Sequence, residues 1–153
     1  MTRTQVPTDP ITSERMRRVR RRHTKPEVKL RKLLWSRGLR YRCNFEGLPG
    51  SPDLVNQRAG WAIFINGCFW HGHQGCKRAT TPKRNTAFWE EKISANRRRD
   101  IAKITALRRL GLEVVTVWEC EIEKIDTLGF DQACPQLLAI LNRLKVQQPA
   151  RKE

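Results

Sequence analysis

Residues 68 to 76 read Cys-Phe-Trp-His-Gly-His-Gln-Gly-Cys, so two thiols, two imidazoles and two large aromatic rings share one short segment. No other stretch restricts the fold as tightly. Cys68, His73 and Cys76 have the residue types and close spacing of a structural zinc site, which needs one more ligand from elsewhere to complete a tetrahedron. A loop tied in this way is rigid. Phe69 and Trp70 fall between the first two of these residues, which predicts that the pinned loop turns both rings outward, where they suit stacking on nucleobases. Cys120, just past Val114-Val115-Thr116-Val117-Trp118, is the best candidate for the fourth ligand, because a strand paired beside the apolar run Trp61 to Ile65 would end near Cys68. His71 competes for a ligand position, and spacing alone leaves that choice open.

The charge balance supports a polyanionic partner. Thirty-one Lys and Arg against 15 Asp and Glu leave a formal charge of +16 on 153 residues, which suits nucleic acid. Six of the eight residues from Arg15 to Arg22 are arginine. The exceptions, Met16 and Val19, lie three apart on one face of a possible helix. A basic arm over residues 1–23 that meets phosphates is expected, followed by a single domain over 24–146 and a disordered tail over 147–153. The apolar run Trp61 to Ile65 is too short to span a bilayer, and the first ten residues have no signal-peptide core, so a cytoplasmic protein that contacts no membrane is expected. An odd cysteine count with metal-type neighbours fits a reducing compartment. Cys43 and Cys134 are expected to be buried, inert thiols.

The element order follows from periodicity and breakers. Thr24-Lys25-Pro26-Glu27 has the form of a capping box, and Val28, Leu30, Leu33 and Leu34 then recur at helical spacing until Gly38. Arg40 to Phe45 alternates as a strand, Leu48 to Pro52 is a turn, and Asp53-Leu54-Val55 starts a second strand. Trp61 to Ile65 is a third. Phe88 to Leu110 reads as a long helix stopped by Gly111, Leu112 to Trp118 as a buried strand, and Asp131 to Val146 as a last helix. This order predicts an α/β domain with a small mixed sheet flanked by helices on both faces.

Two carboxylates stand out. Asp100 shares a helix face with Ile93, Asn96, Ile104 and Leu107, so it points toward the core and needs a partner. That partner is either a nearby arginine, in a salt bridge, or His71, whose tautomer it would then hold. Asp53 follows Pro52 at the start of a strand, where a turn or cap residue and a Mg²⁺ ligand are both reasonable readings.

Leu48-Pro49-Gly50-Ser51-Pro52-Asp53, Ile63 through His73, Phe88-Trp89-Glu90-Glu91-Lys92-Ile93 and Val117-Trp118-Glu119-Cys120 resemble, in order, the motifs of the very short patch repair (Vsr) mismatch endonucleases. The resemblance runs from about Thr12 to Cys120 and is most specific at Gly67 to His71. It implies a restriction-endonuclease-like fold, a structural Zn²⁺ on Cys68, His73, Cys76 and Cys120, and Mg²⁺-dependent nicking of DNA beside a T·G mismatch left by deamination of 5-methylcytosine. Asp53 and the backbone carbonyl of Ile65 become the Mg²⁺ ligands, His71 the general base or acid, Asp100 its orienting partner, and Glu27 a further active-site carboxylate. Phe69 and Trp70 would wedge into the base stack from the major groove, and Met16 and Val19 from the minor groove, with Arg15, Arg17 and Arg18 on phosphates. The implied associations are double-stranded DNA carrying the mismatch, the mismatch-repair protein MutL and a functional link to a DNA cytosine-5 methyltransferase, for a monomer located at the nucleoid. The chain departs from the wider nuclease superfamily, because Phe64-Ile65-Asn66 offers neither the acidic residue nor the lysine usual on that strand. Asn66 stands where some relatives carry a second histidine. Three rivals without the mismatch activity fit the same residues: a zinc-stabilised DNA-binding module, a zinc hydrolase using His71 and His73, and a restriction or junction nuclease of the same fold.

Overall fold

The computed structural model describes Pro10, Ile11, Arg15 and residues 23–147. The expected wedge residues Met16 and Val19, the phosphate contacts Arg17 and Arg18, and residues 148–153 lie outside the described residues; Arg15 is described and exposed.

Helix α1 (Lys25–Ser36) begins where the capping signal places it. The Thr24 hydroxyl accepts the Glu27 N–H at 3.4 Å, and Pro26 occupies the first turn, where its missing N–H costs no helical bond. The Glu27 carboxylate reaches back one residue further than a capping box requires and accepts the His23 N–H at 2.8 Å. Strands β1 (Arg42–Cys43), β2 (Leu54–Asn56), β3 (Trp61–Asn66) and β4 (Glu113–Trp118) form one sheet in the order β1-β2-β3-β4. The first three pair antiparallel, and β3 pairs parallel with β4. A parallel pair needs a long crossover, supplied here by α2 (Thr86–Arg109). The sheet is mixed and the domain α/β, as the element order predicts.

Alternation along the strands divides the core in two. Leu54, Trp61, Ile63 and Val117 pack on one face with Leu30 and Leu34 of α1, with Ile122, and with Phe130, Cys134, Leu137 and Ile140 from the C-terminal helices. Val55, Ala62, Phe64 and Val114 pack on the other face against Leu107 of α2 and Leu112. Helices therefore cover both faces.

Four expectations need correction. The strand foreseen over Arg40 to Phe45 is reduced to Arg42–Cys43, because its partner β2 is only three residues long. Cys43 sits on that edge strand and is exposed, whereas Cys134 is buried as foreseen. The last helix is not continuous from Asp131: after α3 (Glu119–Glu123) and α4 (Ile125–Leu128), a short α5 (Phe130–Ala133) stops at Cys134, and α6 (Pro135–Gln147) starts afresh. Pro135 disfavours a helical conformation in the residue before it, and Cys134 adopts φ −131°, ψ 59°. Gln147, expected in the tail, ends α6.

Candidate active site and metal centre

The parallel register sets Asn66 beside Trp118. Two residues past each of these positions stand Cys68 and Cys120, so the two thiols leave neighbouring strands side by side. The following segment folds back in tight turns: His73 donates its N–H to the Cys68 carbonyl at 2.9 Å, and Cys76 donates to the His73 carbonyl at 3.3 Å. These turns bring the ligand atoms of Cys68, His73, Cys76 and Cys120 within 4.8 Å of one another, a cluster that can hold a metal ion. Cys120 Sγ lies 3.5 Å from His73 Nδ1, close to the roughly 3.6 Å that Zn–S and Zn–N bond lengths give at a tetrahedral angle. His71 is not in the cluster.

The electrostatics of the thiols fit a cation site. Burial pushes Cys68 up to about 12 and raises Cys120, while the Arg78 backbone N–H draws Cys76 below the usual thiol range. A dication compensates the cost of charging such buried thiols. The surroundings hold the ligands in place: the Trp118 ring stacks on His73 at 4.1 Å and 7°, and the Glu119 carboxylate accepts the Cys68 N–H at 3.0 Å. Neither role was foreseen, although both residues directly precede Cys120.

At the same end of the sheet, Asp53 lies just before β2. Its Oδ2 accepts the Ile65 N–H at 2.7 Å. Burial pushes Asp53 up to about 6, against the lowering effect of that bond; the charge of Glu27 raises it further, and Lys103 and Arg31 oppose the rise. Glu27 is buried, 5% exposed, and Arg31, one turn along α1, lies 3.3 Å from its carboxylate. Two carboxylates near one another in a desolvated setting favour a bound cation.

His71 Nδ1 lies 2.6 Å from Asp100 Oδ2. Asp100 also meets Lys103 Nζ at 3.0 Å through its other oxygen. Burial alone would raise Asp100, but these two partners outweigh it and hold the carboxyl below its ordinary range. The partner of Asp100 is therefore His71 together with a lysine, and no arginine pairs with it among the described residues. Lys103 was missed, although its place three residues along the same helix face was the available signal. Gly72, at φ +60°, allows the loop to press against α2, since a Cβ there would lie 2.7 Å from Ile93 Cγ2.

Phe69 and Trp70 are half-buried, less outward than a loop pinned at its ends would predict. They touch edge-on at 5.2 Å, and Trp89 of α2 supports both, at 5.5 and 5.9 Å. Lys92 Nζ lies 5.3 Å from the centroid of Trp70, and Asn96 Nδ2 donates to the Trp70 carbonyl at 2.8 Å. The loop packs on the first turns of α2, so the rings rest on that helix.

Residues 5–78 match the family model described as DNA mismatch endonuclease Vsr. The chain is 42% identical over 126 residues to the DNA mismatch endonuclease Vsr of Escherichia coli, covering 82% of this chain and 80% of that relative. The chain belongs to the Vsr family. Other relatives are the type II nicking enzymes V.NmeAIP of Neisseria meningitidis, 45% identical over 108 residues (71% of this chain, 76% of the relative), and V.XorIIP of Xanthomonas oryzae, 42% identical over 125 residues (79% and 91%). As a Vsr-family DNA endonuclease, this chain has DNA as its substrate, in accord with its +16 charge. Among the described residues no helix is long and apolar enough to cross a membrane.

Proposed function

We propose that this Vsr-family chain is a Mg²⁺-dependent, strand-specific endonuclease that nicks double-stranded DNA next to the T of T·G mismatches, the product of 5-methylcytosine deamination. The single observation that carries the reading is the meeting of Asp53, the His71–Asp100 pair and the aromatic loop at one end of the sheet. A binding module without catalysis has no use for two largely desolvated acids, one of them backing a histidine.

Asp53 has the environment of a metal ligand: a carboxylate whose burial is unfavourable until a cation arrives. The Ile65 carbonyl is the natural second ligand. The N–H and C=O of one strand residue point to the same edge, and the Ile65 N–H already faces Asp53. Bound Mg²⁺ would neutralise charge on the scissile phosphate. Asp100 accepts a hydrogen bond from Nδ1–H of His71 and so fixes its tautomer, which leaves Nε2 to accept a proton from the attacking water or deliver one to the leaving oxygen. Glu27 adds negative charge beside Asp53, and Arg31 holds that carboxylate in place.

The cysteines with His73 are assigned to structural Zn²⁺. The zinc fixes the loop, and the loop carries Phe69 and Trp70 into the base stack; unstacking costs a few kcal/mol per step and least at a mispair, so deformability contributes to discrimination. Met16 and Val19 would enter from the minor groove, with Arg15, Arg17 and Arg18 on phosphates. On this reading the enzyme works as a monomer on cytoplasmic, nucleoid DNA, downstream of a cytosine-5 methyltransferase and alongside MutL.

The deciding assay is nicking of a short T·G duplex and its T·A counterpart, with Mg²⁺ and with EDTA. Cleavage of the T strand of the T·G duplex alone, abolished by EDTA, is the expected result. Equal cutting of both duplexes would transfer the chain to the restriction-type reading.

A further inference from the structure

A cleft of about 570 Å³ is lined by Pro49 and Gly50 together with His71, Asn96, Arg99, Asp100 and Lys103. The reaction outlined above makes no use of Lys103. Its side chain is only 21% exposed, and the ammonium sits 4.2 Å from the centroid of the Phe64 ring and 3.0 Å from Asp100 Oδ1. An ammonium has three N–H groups. Asp100 takes one, the Phe64 ring lies against the ammonium, and among the described residues no second oxygen partner is found, so donor capacity remains for a ligand in the cleft.

The backbone opposite is shaped to the lysine. Gly50 has φ +74°, and a Cβ there would lie 2.5 Å from Lys103 Cβ and 2.7 Å from its Cδ. Any other residue at this turn would displace the lysine stem. The charges of the lining also favour an anion: Lys103 and Arg99 face a single carboxylate, and both oxygens of Asp100 are already engaged. Arg99 donates to Asn96 Oδ1 at 2.6 Å, and Asn96 in turn donates to the Trp70 carbonyl, so the cationic wall is joined to the aromatic loop.

We propose that this cleft receives one backbone phosphate of the bound DNA and that Lys103 is its direct contact. The inference rests on the DNA-nicking reading and adds to it a phosphate-binding residue carried by α2. A lysine held half-buried over an aromatic face, with spare donors, is a compact point charge suited to a phosphate oxygen.

The test is a salt titration of duplex binding without added Mg²⁺, where cleavage is blocked and the zinc is left in place, for the wild type, Lys103→Gln and Lys103→Arg. Each phosphate contact contributes about 0.9 to the slope of log affinity against log salt. Lys103→Gln should therefore flatten the slope by about that amount and weaken binding about tenfold, the usual scale of a charged hydrogen bond, whereas Lys103→Arg should keep the slope. Neutral methylphosphonates placed one at a time along the duplex should reveal one position that weakens the wild type and does not weaken Lys103→Gln further. An unchanged slope in a folded Lys103→Gln protein would reduce Lys103 to a partner of Asp100 and overturn the proposal. Should that variant not fold, amine acetylation of the wild type decides: DNA should protect Lys103, and equal modification with and without DNA would overturn the proposal. Reading the slope on both T·G and T·A duplexes separates this outcome from loss of mismatch preference, since a phosphate contact survives even where the mismatch reading fails.

Discussion

Two chemical centres share one end of the sheet and differ in how they are assembled. The Cys68/His73/Cys76/Cys120 cluster draws three ligands from one nine-residue segment and the fourth from the neighbouring strand end. The acidic site draws Glu27 from α1, Asp53 from the start of β2, His71 from the loop after β3, and Asp100 with Lys103 from α2. Disturbing the first should cost the fold, because the binding free energy of a structural metal is folding free energy. Disturbing the second should cost the rate, because its groups serve the reaction more than the fold: Asp53 is desolvated against its own stability, and Asp100 is kept charged beside His71. Strain of this kind is expected where chemistry is done.

The largest expected effect is on turnover. Asp53→Ala should lower Mg²⁺-dependent nicking by at least about a thousandfold, the scale of a lost electrostatic contact to the reacting phosphate, with DNA affinity within a few-fold of wild type. Residual nicking at a tenth of the wild-type rate would remove Asp53 from the metal site. Asp100→Asn should cut the rate about 100-fold or more through loss of His71 orientation, with the melting temperature nearly unchanged. If melting falls and turnover stays normal, the pair belongs with the structural features of the molecule and the contrast between the centres weakens.

Cys120→Ala tests the other half. Zinc content measured by metal analysis and stability measured by denaturation should fall together, by several kcal/mol on the scale of structural zinc sites. A variant with full zinc and unchanged melting would place the fourth ligand elsewhere.

The smallest expected effect is a gain. Folding raises Asp53 from its ordinary value of 3.8 to about 6, so the native state favours the protonated acid. Its contribution to stability is neutral below the unfolded value, turns unfavourable as pH rises through the interval, and is fully unfavourable above about 6. At about 1.4 kcal/mol per pH unit, the penalty is on the order of 2–3 kcal/mol. Without added Mg²⁺, Asp53→Asn should therefore raise stability by up to that amount at pH 8 and leave it unchanged near pH 4, with Asn still able to accept the Ile65 N–H. Urea denaturation at both pH values checks the sign. A loss of stability at pH 8 would mean that Asp53 contributes to the fold, the role expected of the Cys/His cluster.

Short-range order was legible in the chain. The cap at Thr24, the alternation through β3 and the glycine stop after α2 are decided by neighbours within a few residues, and each lies within two residues of its expected place. The Cys/His cluster was nearly so, because Cys68, His73 and Cys76 carry their own spacing and Cys120 needs only the pairing of β3 with β4. Here the family's motifs and the local chemistry agree.

Tertiary structure alone decided the rest. Helix periodicity turned Asp100 inward, but whether it met an arginine or His71 depended on how the loop and α2 approach each other, which Gly72 permits by having no side chain. The short β2 left Cys43 on an exposed edge, and the pairing of β2 with β3, which lets the Asp53 side chain reach the Ile65 N–H, made a desolvated acid from a residue that could have been a turn. Lys103 reached the same cleft from a helix face that reads as ordinary amphipathic spacing. The sequence by itself determined which side chains could do chemistry and which short segments they sit on, because propensity and ligand spacing act over a few bonds. Which of them came together was decided by packing between segments distant in the chain, where burial and charge act through space and leave no local pattern to read.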